Sequence, residues 1–253
     1  MRGLQCICKI ALWSMFLGWG ICAQAQSYEK LWKQVEQVQK KSLPQTVVNL
    51  TGEICQKALA EKNSPQLLKA YLCRAAFQER LTPDSLYTRL NEMEQWAATE
   101  TNETDRAILH SILASEYAGY WQNNRRVIAA RTDLATDKQP TDVREWTPRQ
   151  FVEKVDAHAL ASTHDVDRLI KTSTDGYQPF VEQGEQSAYY SHDLYHLLAR
   201  RAISALKSMT GAGADSFMQT RVERLYLQIM VSYSALPDGV VACLLATFVF
   251  WEW

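Results

Sequence analysis

The residues whose type and spacing come closest to a chemical motif are two histidines, His192 and His196. A spacing of four puts both imidazoles on one face of a helix, and such a pair can bind zinc. Asp193 stands where a zinc peptidase of this layout carries its longer glutamate base, and no third ligand follows nearby. Pairs at this spacing are common on any helix. We therefore expect no metal site, and two histidines that flank a helix whose other face carries Leu194 and Leu198.

A second candidate is the glycine-rich segment 211–214 (GAGA), which precedes a predicted helix. Helix N-termini bind phosphate, but this segment lacks the Lys-Ser/Thr pair of a phosphate-binding loop and follows a helix instead of a strand. A helix–helix connection is the simpler interpretation. Elsewhere no nucleophile, base and orienting acid are grouped together. The sequence thus predicts no catalytic residues, no cofactor and no enzyme activity.

Two cysteines form a candidate disulfide, Cys55 and Cys73. They lie at nearly equal distances from a predicted turn at Asn63-Ser64, so they lie at about the same height if the flanking helices form an antiparallel hairpin. Packed helix axes about 8–10 Å apart can bring facing Cα atoms to the ~5.5–6 Å that a disulfide prefers. The alternative is a pair of reduced thiols that act as small apolar fillers.

The elements that must position these residues are helices. Apolar residues recur at intervals of three and four along the chain, and no segment alternates cleanly with a period of two. Ser/Thr-Pro pairs mark three helix starts, at Ser64-Pro65, Thr82-Pro83 and Thr147-Pro148. The pattern predicts an all-α fold, an array of antiparallel helical hairpins that is either an α-solenoid of the tetratricopeptide kind or an irregular helical bundle. Four large side chains are expected in its core: Trp32, Tyr71, Trp96 and Leu198.

The first 25 residues have the three parts of an export signal. Arg2 and Lys9 supply positive charge, residues 10–22 are small or apolar, and Ala23-Gln24-Ala25 offers small residues at the cleavage site. The apolar run is shorter than the roughly 20 residues of a membrane-spanning helix. We therefore expect a signal peptide at 1–25, a mature chain without a membrane span, and a location in the periplasm or cell envelope.

After the signal peptide, the sequence suggests a hairpin array at 26–130, a polar linker at 131–147 and a second helical segment at 148–253. The formal net charge of −1 offers no basic excess for nucleic acid. Residues 239–251 are apolar all round, which is typical of a helix buried inside something larger. We expect the second segment to be truncated at its C-terminus.

Several segments resemble the N-terminal helical region of large exported bacterial alpha-2-macroglobulin-family proteins. The resemblance is carried by residues 27–47 (SYEKLWKQVEQVQKKSLPQTV), 61–97, 108–125, 142–155 (DVREWTPRQFVEKV) and 191–206 (SHDLYHLLARRAISAL). Members of that family are protease traps, and many tether the attacker through a Cys-Gly-Glu-Gln thioester. This sequence contains neither that tetrapeptide nor a bait segment.

The resemblance implies a non-catalytic helical region of an envelope protease inhibitor, a fragment without bait and thioester. Its partner would be a protein, either the downstream domains of the same full-length protein or a peptidase. The alternative is a free-standing exported helical-repeat adaptor that binds another protein.

Overall fold

The computed structural model describes residues 28–82, 85–131, 142–182, 184, 191–209, 211–212, 216, 219–225 and 227 of the 253-residue chain. These residues are almost entirely helical. Apart from helices and turns, they contain one isolated antiparallel bridge, between Ser173 and Asp193. The all-α prediction is confirmed. No helix among the described residues combines the length and apolar character needed to cross a membrane.

The helices of the described residues range from six residues in the shortest to 27 in the longest. Residues 28–40 form α1 and residues 219–225 form α9. Single 3₁₀ turns lie at Val143–Glu145 and Thr174–Tyr177. The remaining helices are α2 (Pro44–Glu61), α3 (Ser64–Leu81), α4 (Ser85–Thr99), α5 (Glu103–Ala129), α6 (Pro148–Thr163), α7 (Val166–Lys171) and α8 (Leu194–Ser208).

The helices group into two compact units. The first unit covers the chain up to Leu86 together with Gln178–Phe180, and the second covers Tyr87–Tyr177 and the chain from Val181 onward. The boundary between these units lies at Leu86–Tyr87, whereas the sequence led us to expect segments at 26–130 and 148–253. Residues 132–141, most of the expected linker, lie outside the described residues, as do the signal segment 1–25 and the apolar run 239–251. That segmentation stays a prediction.

In the first unit, α2 and α3 pack on each other as a hairpin. The turn is made by Lys62, which is left-handed (φ 54°, ψ 40°) and whose backbone N–H donates to the carbonyls of Ala58 and Leu59. Asn63, not Ser64, caps α3: its side chain accepts from the backbone N–H of Gln66 at 3.2 Å. The predicted start was therefore displaced by one residue.

The core of the first unit is apolar. One cluster of its buried residues comprises Tyr28, Val35, Val47, Ile54, Cys55, Ala58 and Ala70. Trp32 and Tyr71 pack against this core while remaining half-buried, which corrects the expectation of full burial. The indole N–H of Trp32 donates to Gln66 Oε1 at 2.7 Å, so its polar edge stays near the surface.

The second unit is built on α5, which packs against α6 and α8; α6 and α7 also pack on α8. α6 begins as predicted, with Thr147 at the cap position and Pro148 in the first turn, and Gln150 Oε1 accepts from the backbone N–H of Thr147 at 2.8 Å. Leu198 is buried as predicted, at 2 % exposure. Trp96 is half-buried, which corrects the expectation of burial; its indole N–H donates to Glu100 at 3.0 Å.

Candidate functional site

Titratable side chains from three helices of the second unit meet at one place. Glu94 comes from α4, His110 and Tyr117 from α5, and Lys154 and His158 from α6. Tyr117 follows His110 by two helical turns and His158 follows Lys154 by one, so each pair lies on one helical face. We call these five residues the polar cluster.

Glu94 is the centre of the polar cluster. Its Oε1 accepts from the hydroxyl of Tyr117 at 2.8 Å, from Lys154 Nζ at 2.9 Å and from His158 Nε2 at 3.0 Å. Burial alone would raise the pKa of this carboxyl, but the hydrogen bonds and positive charge of its partners outweigh burial and lower the pKa to about 2. Glu94 is therefore a carboxylate throughout the ordinary pH range, and it ties α4 to both α5 and α6.

The two histidines of the polar cluster contact each other through matching nitrogens. His110 Nδ1 lies 2.9 Å from His158 Nδ1, and His158 turns its other nitrogen, Nε2, to Glu94. A carboxylate only accepts hydrogen bonds, so His158 Nε2 carries a proton. Burial and then the neighbouring His158 lower the pKa of His110 to about 4, so this imidazole is neutral near pH 7.

Aromatic rings cover one side of the polar cluster. Tyr117 stacks on Trp146 with ring centroids 5.1 Å apart and on His158 with centroids 5.7 Å apart. Lys154 Nζ lies 6.0 Å from the centroid of the Trp146 ring. Tyr117 and His158 are 2 % and 5 % exposed. Burial, together with the Glu94 charge, raises the pKa of Tyr117 and keeps its hydroxyl protonated as a donor.

A carboxylate that orients one imidazole against another has the parts of a proton relay. A relay does nucleophilic chemistry when its terminal base contacts a hydroxyl or thiol. Among the hydrogen bonds of the described residues, none joins His110 or His158 to a serine, threonine or cysteine. The arrangement holds and shares protons, and it joins three helices.

The structure separates the two histidines that the sequence placed on one helical face. α8 begins at Leu194, with Asp193 as its cap, so His192 lies before the helix. The carbonyl of His192 accepts from the backbone N–H of Thr174 at 2.8 Å. His196 Nδ1 contacts the cap Asp193 Oδ2 at 2.6 Å and is 4 % exposed, beside Leu194 on the buried side of α8. The described residues contain no group of three or more ligands suited to a metal ion.

Cys55 and Cys73 lie where the hairpin model placed them, on neighbouring helices α2 and α3. Both are free thiols in the structure; Cys55 is buried and Cys73 is half-buried. Burial raises the pKa of both thiols, and Cys73 contributes electrostatically to the shift of Cys55. Gln39 Nε2 lies 3.7 Å from Cys73 Sγ. The disulfide stays a prediction.

The described part of the glycine-rich candidate, Gly211-Ala212, lies just after α8. Gly211 has φ +79°, which L side chains rarely adopt, and a Cβ there would lie 2.0 Å from the Arg125 guanidinium. Residues 213–214 lie outside the described residues. The glycine accommodates a close approach of Arg125 just after α8, and the helix–helix connection stays a prediction.

A surface cleft of about 450 Å³ lies between the first turn of α5 and the α6–α7 connection. Three of its charged groups pair with one another: Arg168 lies 2.5 Å from Glu103 and 2.7 Å from Asp165. These side chains are between 41 % and 52 % exposed, so water screens them. The cleft does not gather unpaired charge of one sign for a ligand.

The polar cluster was missed from the sequence. Its one visible signal is His158, which interrupts the apolar stripe of Val155 and Ala159 on α6. Glu94 and His110, by contrast, lie 64 and 48 positions away along the chain, and only the fold brings them to His158.

Comparison with known proteins gives no relative: no family model, no curated protein and no solved structure matches this chain.

Proposed function

We propose that this chain is a non-catalytic helical scaffold that works outside the cytoplasm by binding protein. The observation that carries the proposal is that the titratable groups of the polar cluster are engaged with one another. Glu94 Oε1 accepts three hydrogen bonds, from donors on two other helices, and His110 is paired with His158. Groups bound in this way support a fold, whereas a catalytic base must have its reacting partner within hydrogen-bond reach.

The helical architecture also supports protein binding. The α2–α3 hairpin is the unit from which helical-repeat proteins are assembled, and such assemblies bind partners along extended surfaces. Each unit carries an exposed leucine: Leu59 is 61 % exposed and Leu227 is 67 % exposed. Single exposed leucines are ordinary on any surface, so they serve here as positions for probes.

The more specific form of the proposal follows from the resemblance to alpha-2-macroglobulin-family proteins. In that form the chain is a helical region of an envelope endopeptidase inhibitor, and its partners are other domains of that inhibitor or a peptidase. In the alternative form it is a free-standing exported adaptor. Both forms share the scaffold role and export through a signal at residues 1–25, with Gln26 as the first mature residue.

Site-specific photo-crosslinking in the producing cell tests the scaffold role. A photoreactive phenylalanine replaces Leu59 in one variant and Leu227 in another, one probe in each unit. We expect a discrete crosslinked product with an exported protein from at least one position. A partner with β-sandwich domains and a thioester, or a peptidase, supports the inhibitor form, and any other exported protein supports the adaptor form. Products with cytoplasmic proteins alone, or no product, would contradict binding.

Two further measurements bear on the same proposal. Mass spectrometry of envelope material should find a mature chain that begins at Gln26; an intact Met1–Ala25 segment in that material argues against export.

The purified chain should show no hydrolytic turnover that depends on the polar cluster. Turnover of any ester, peptide or phosphate substrate that disappears in His110→Asn but persists in His164→Asn, which alters an exposed histidine, would make the chain an enzyme.

A further inference from the structure

The contact between His110 and His158 limits how many protons the two rings can hold. Two Nδ1 atoms 2.9 Å apart need one donor and one acceptor, so only one of them carries a proton. His158 Nε2 is already protonated by its contact with Glu94. The pair therefore exists either as two neutral imidazoles or with one shared positive charge. A second added proton would place N–H against N–H and break the contact.

The charges around the pair oppose the second proton as well. α4 contributes the Glu94 carboxylate, but Lys154 on α6 already binds its Oε1. Arg106 on α5 adds a positive charge that disfavours protonated His110. On α8, Arg201 faces α5 and donates to Ser111, the residue after His110, at 3.0 Å. Two positive imidazoles would thus lie near one carboxylate and the positive charges of Lys154 and Arg106.

The pair is also accessible from one side. His158 is 5 % exposed and is covered by Tyr117, whereas His110 is half-buried. A proton can therefore reach His110 without prior unfolding of the unit. Since the Nδ1 contact links α5 to α6, its loss would loosen α6 from α5 and uncover the edge of the Tyr117–Trp146 stack.

We propose that His110 and His158 form a proton-operated latch between α5 and α6, closed while the pair holds at most one added proton and open when both rings are charged. This role is independent of the scaffold function. The latch acts by linkage: the open state binds more protons than the closed state, so falling pH favours opening. The low pKa of His110, about 4, agrees with a closed state that resists protonation.

The test compares the full chain with His110→Asn. Asparagine places an amide donor near the position of Nδ1 and does not titrate, so the contact with His158 survives while its proton switch is removed. Near-UV circular dichroism follows the aromatic stack as pH falls from 7 to 3, and Trp146→Phe identifies the contribution of that stack. We expect His110→Asn to move the midpoint of the acid transition down by at least about half a pH unit. His164→Asn, an exposed histidine, should leave it unchanged.

An unchanged midpoint in His110→Asn would overturn the latch. Ring-nitrogen NMR of the unmutated chain decides the question even if that variant does not fold. We expect full double protonation of His110 and His158 to coincide with loss of the stack signal. Two independent one-proton titrations that reach full charge while the stack signal persists would equally overturn it.

Discussion

In the first unit α2 and α3 pack mainly through apolar side chains, whereas the second unit holds a carboxylate, a lysine and two histidines in one hydrogen-bonded cluster between its helices. Thr51 is the buried polar residue of the first unit among those described, and it bonds locally, to the carbonyl of Val47 at 2.7 Å. The other buried polar residues of the described chain belong to the second unit: Thr104, Asp105, Ser111, Asp156, His158, Ser162, Thr163, Thr174 and His196.

The difference concerns what holds each unit together. Apolar packing is indifferent to pH, while a buried carboxylate with basic partners ties stability to protonation. Several polar contacts of the second unit join distant segments. The hydroxyl of Tyr177 donates to Asp105 at 2.7 Å, and Arg221 lies 3.0 Å from Asp156, which links α9 to α6. We expect the unfolding free energy of the first unit to fall when a buried side chain is truncated. We expect that of the second unit to fall when a buried charge is removed.

The largest expected effect is Ile54→Ala in the first unit. Ile54 is 0 % exposed, and truncation of such a residue costs about 2–5 kcal/mol of unfolding free energy, because the cavity is only partly refilled. Hydrogen exchange of peptides within α2 and α3 would report the loss, which should be the same at pH 7 and pH 5. The matched control is Leu59→Ala on the same helix, where 61 % exposure predicts less than about 0.5 kcal/mol. Equal costs at both positions would contradict the packing account.

The next effect is oxidation of Cys55 and Cys73. If the two thiols close to a disulfide in an oxidising compartment, the loop between them adds roughly 3 kcal/mol to the first unit in the chain-entropy model. Thiol counting on denatured, unreduced mature protein measures this directly. One free thiol per chain is expected for the bridged form, since Cys243 is the remaining cysteine after residue 25. Three free thiols would reject the bridge.

A smaller effect is expected for Glu94→Gln in the second unit. The neutral amide accepts more weakly from Tyr117, Lys154 and His158, and it leaves Lys154 without its counter-charge, at a cost of about 1–3 kcal/mol. The loss of unfolding free energy is measured by urea unfolding at pH 7, with hydrogen exchange of α5 and α6 peptides used to follow the second unit. Glu92→Gln, exposed on the same helix, is the control and should change little. If Glu94→Gln behaved like Glu92→Gln, the polar cluster would not support the unit.

The fold class followed from the sequence, because spacing and capping are local signals. The start of α6 at Thr147-Pro148 and the Asn63-Ser64 turn could be read from adjacent residues. Half-burial of Trp32 could not, since it depends on Gln66 in another helix. The polar cluster depends on pairs 48 and 64 positions apart, and no local pattern marks Glu94 as the acceptor for His158.

The central claim, that the stability of the second unit depends more strongly on protonation than that of the first, is tested most directly by hydrogen exchange of the full chain between pH 7 and pH 4. The pKa of His110 is about 6.5 in the unfolded chain and about 4 in the folded chain. Between these two pH values the unfolded chain binds a proton more readily than the folded chain does. Stability from this group is therefore complete above about pH 6.5 and is lost as pH falls toward 4.

After correction for intrinsic exchange rates, α5 and α6 peptides should lose about 1–2 kcal/mol of opening free energy across that window, allowing for solvent screening. Glu94, whose pKa is lowered from 4.5 to about 2, keeps its full contribution above about pH 4.5 and loses it as pH falls from there toward 2. Peptides of α2 and α3 should show no comparable change. An equal loss in both units, or none in α5 and α6, would contradict the account.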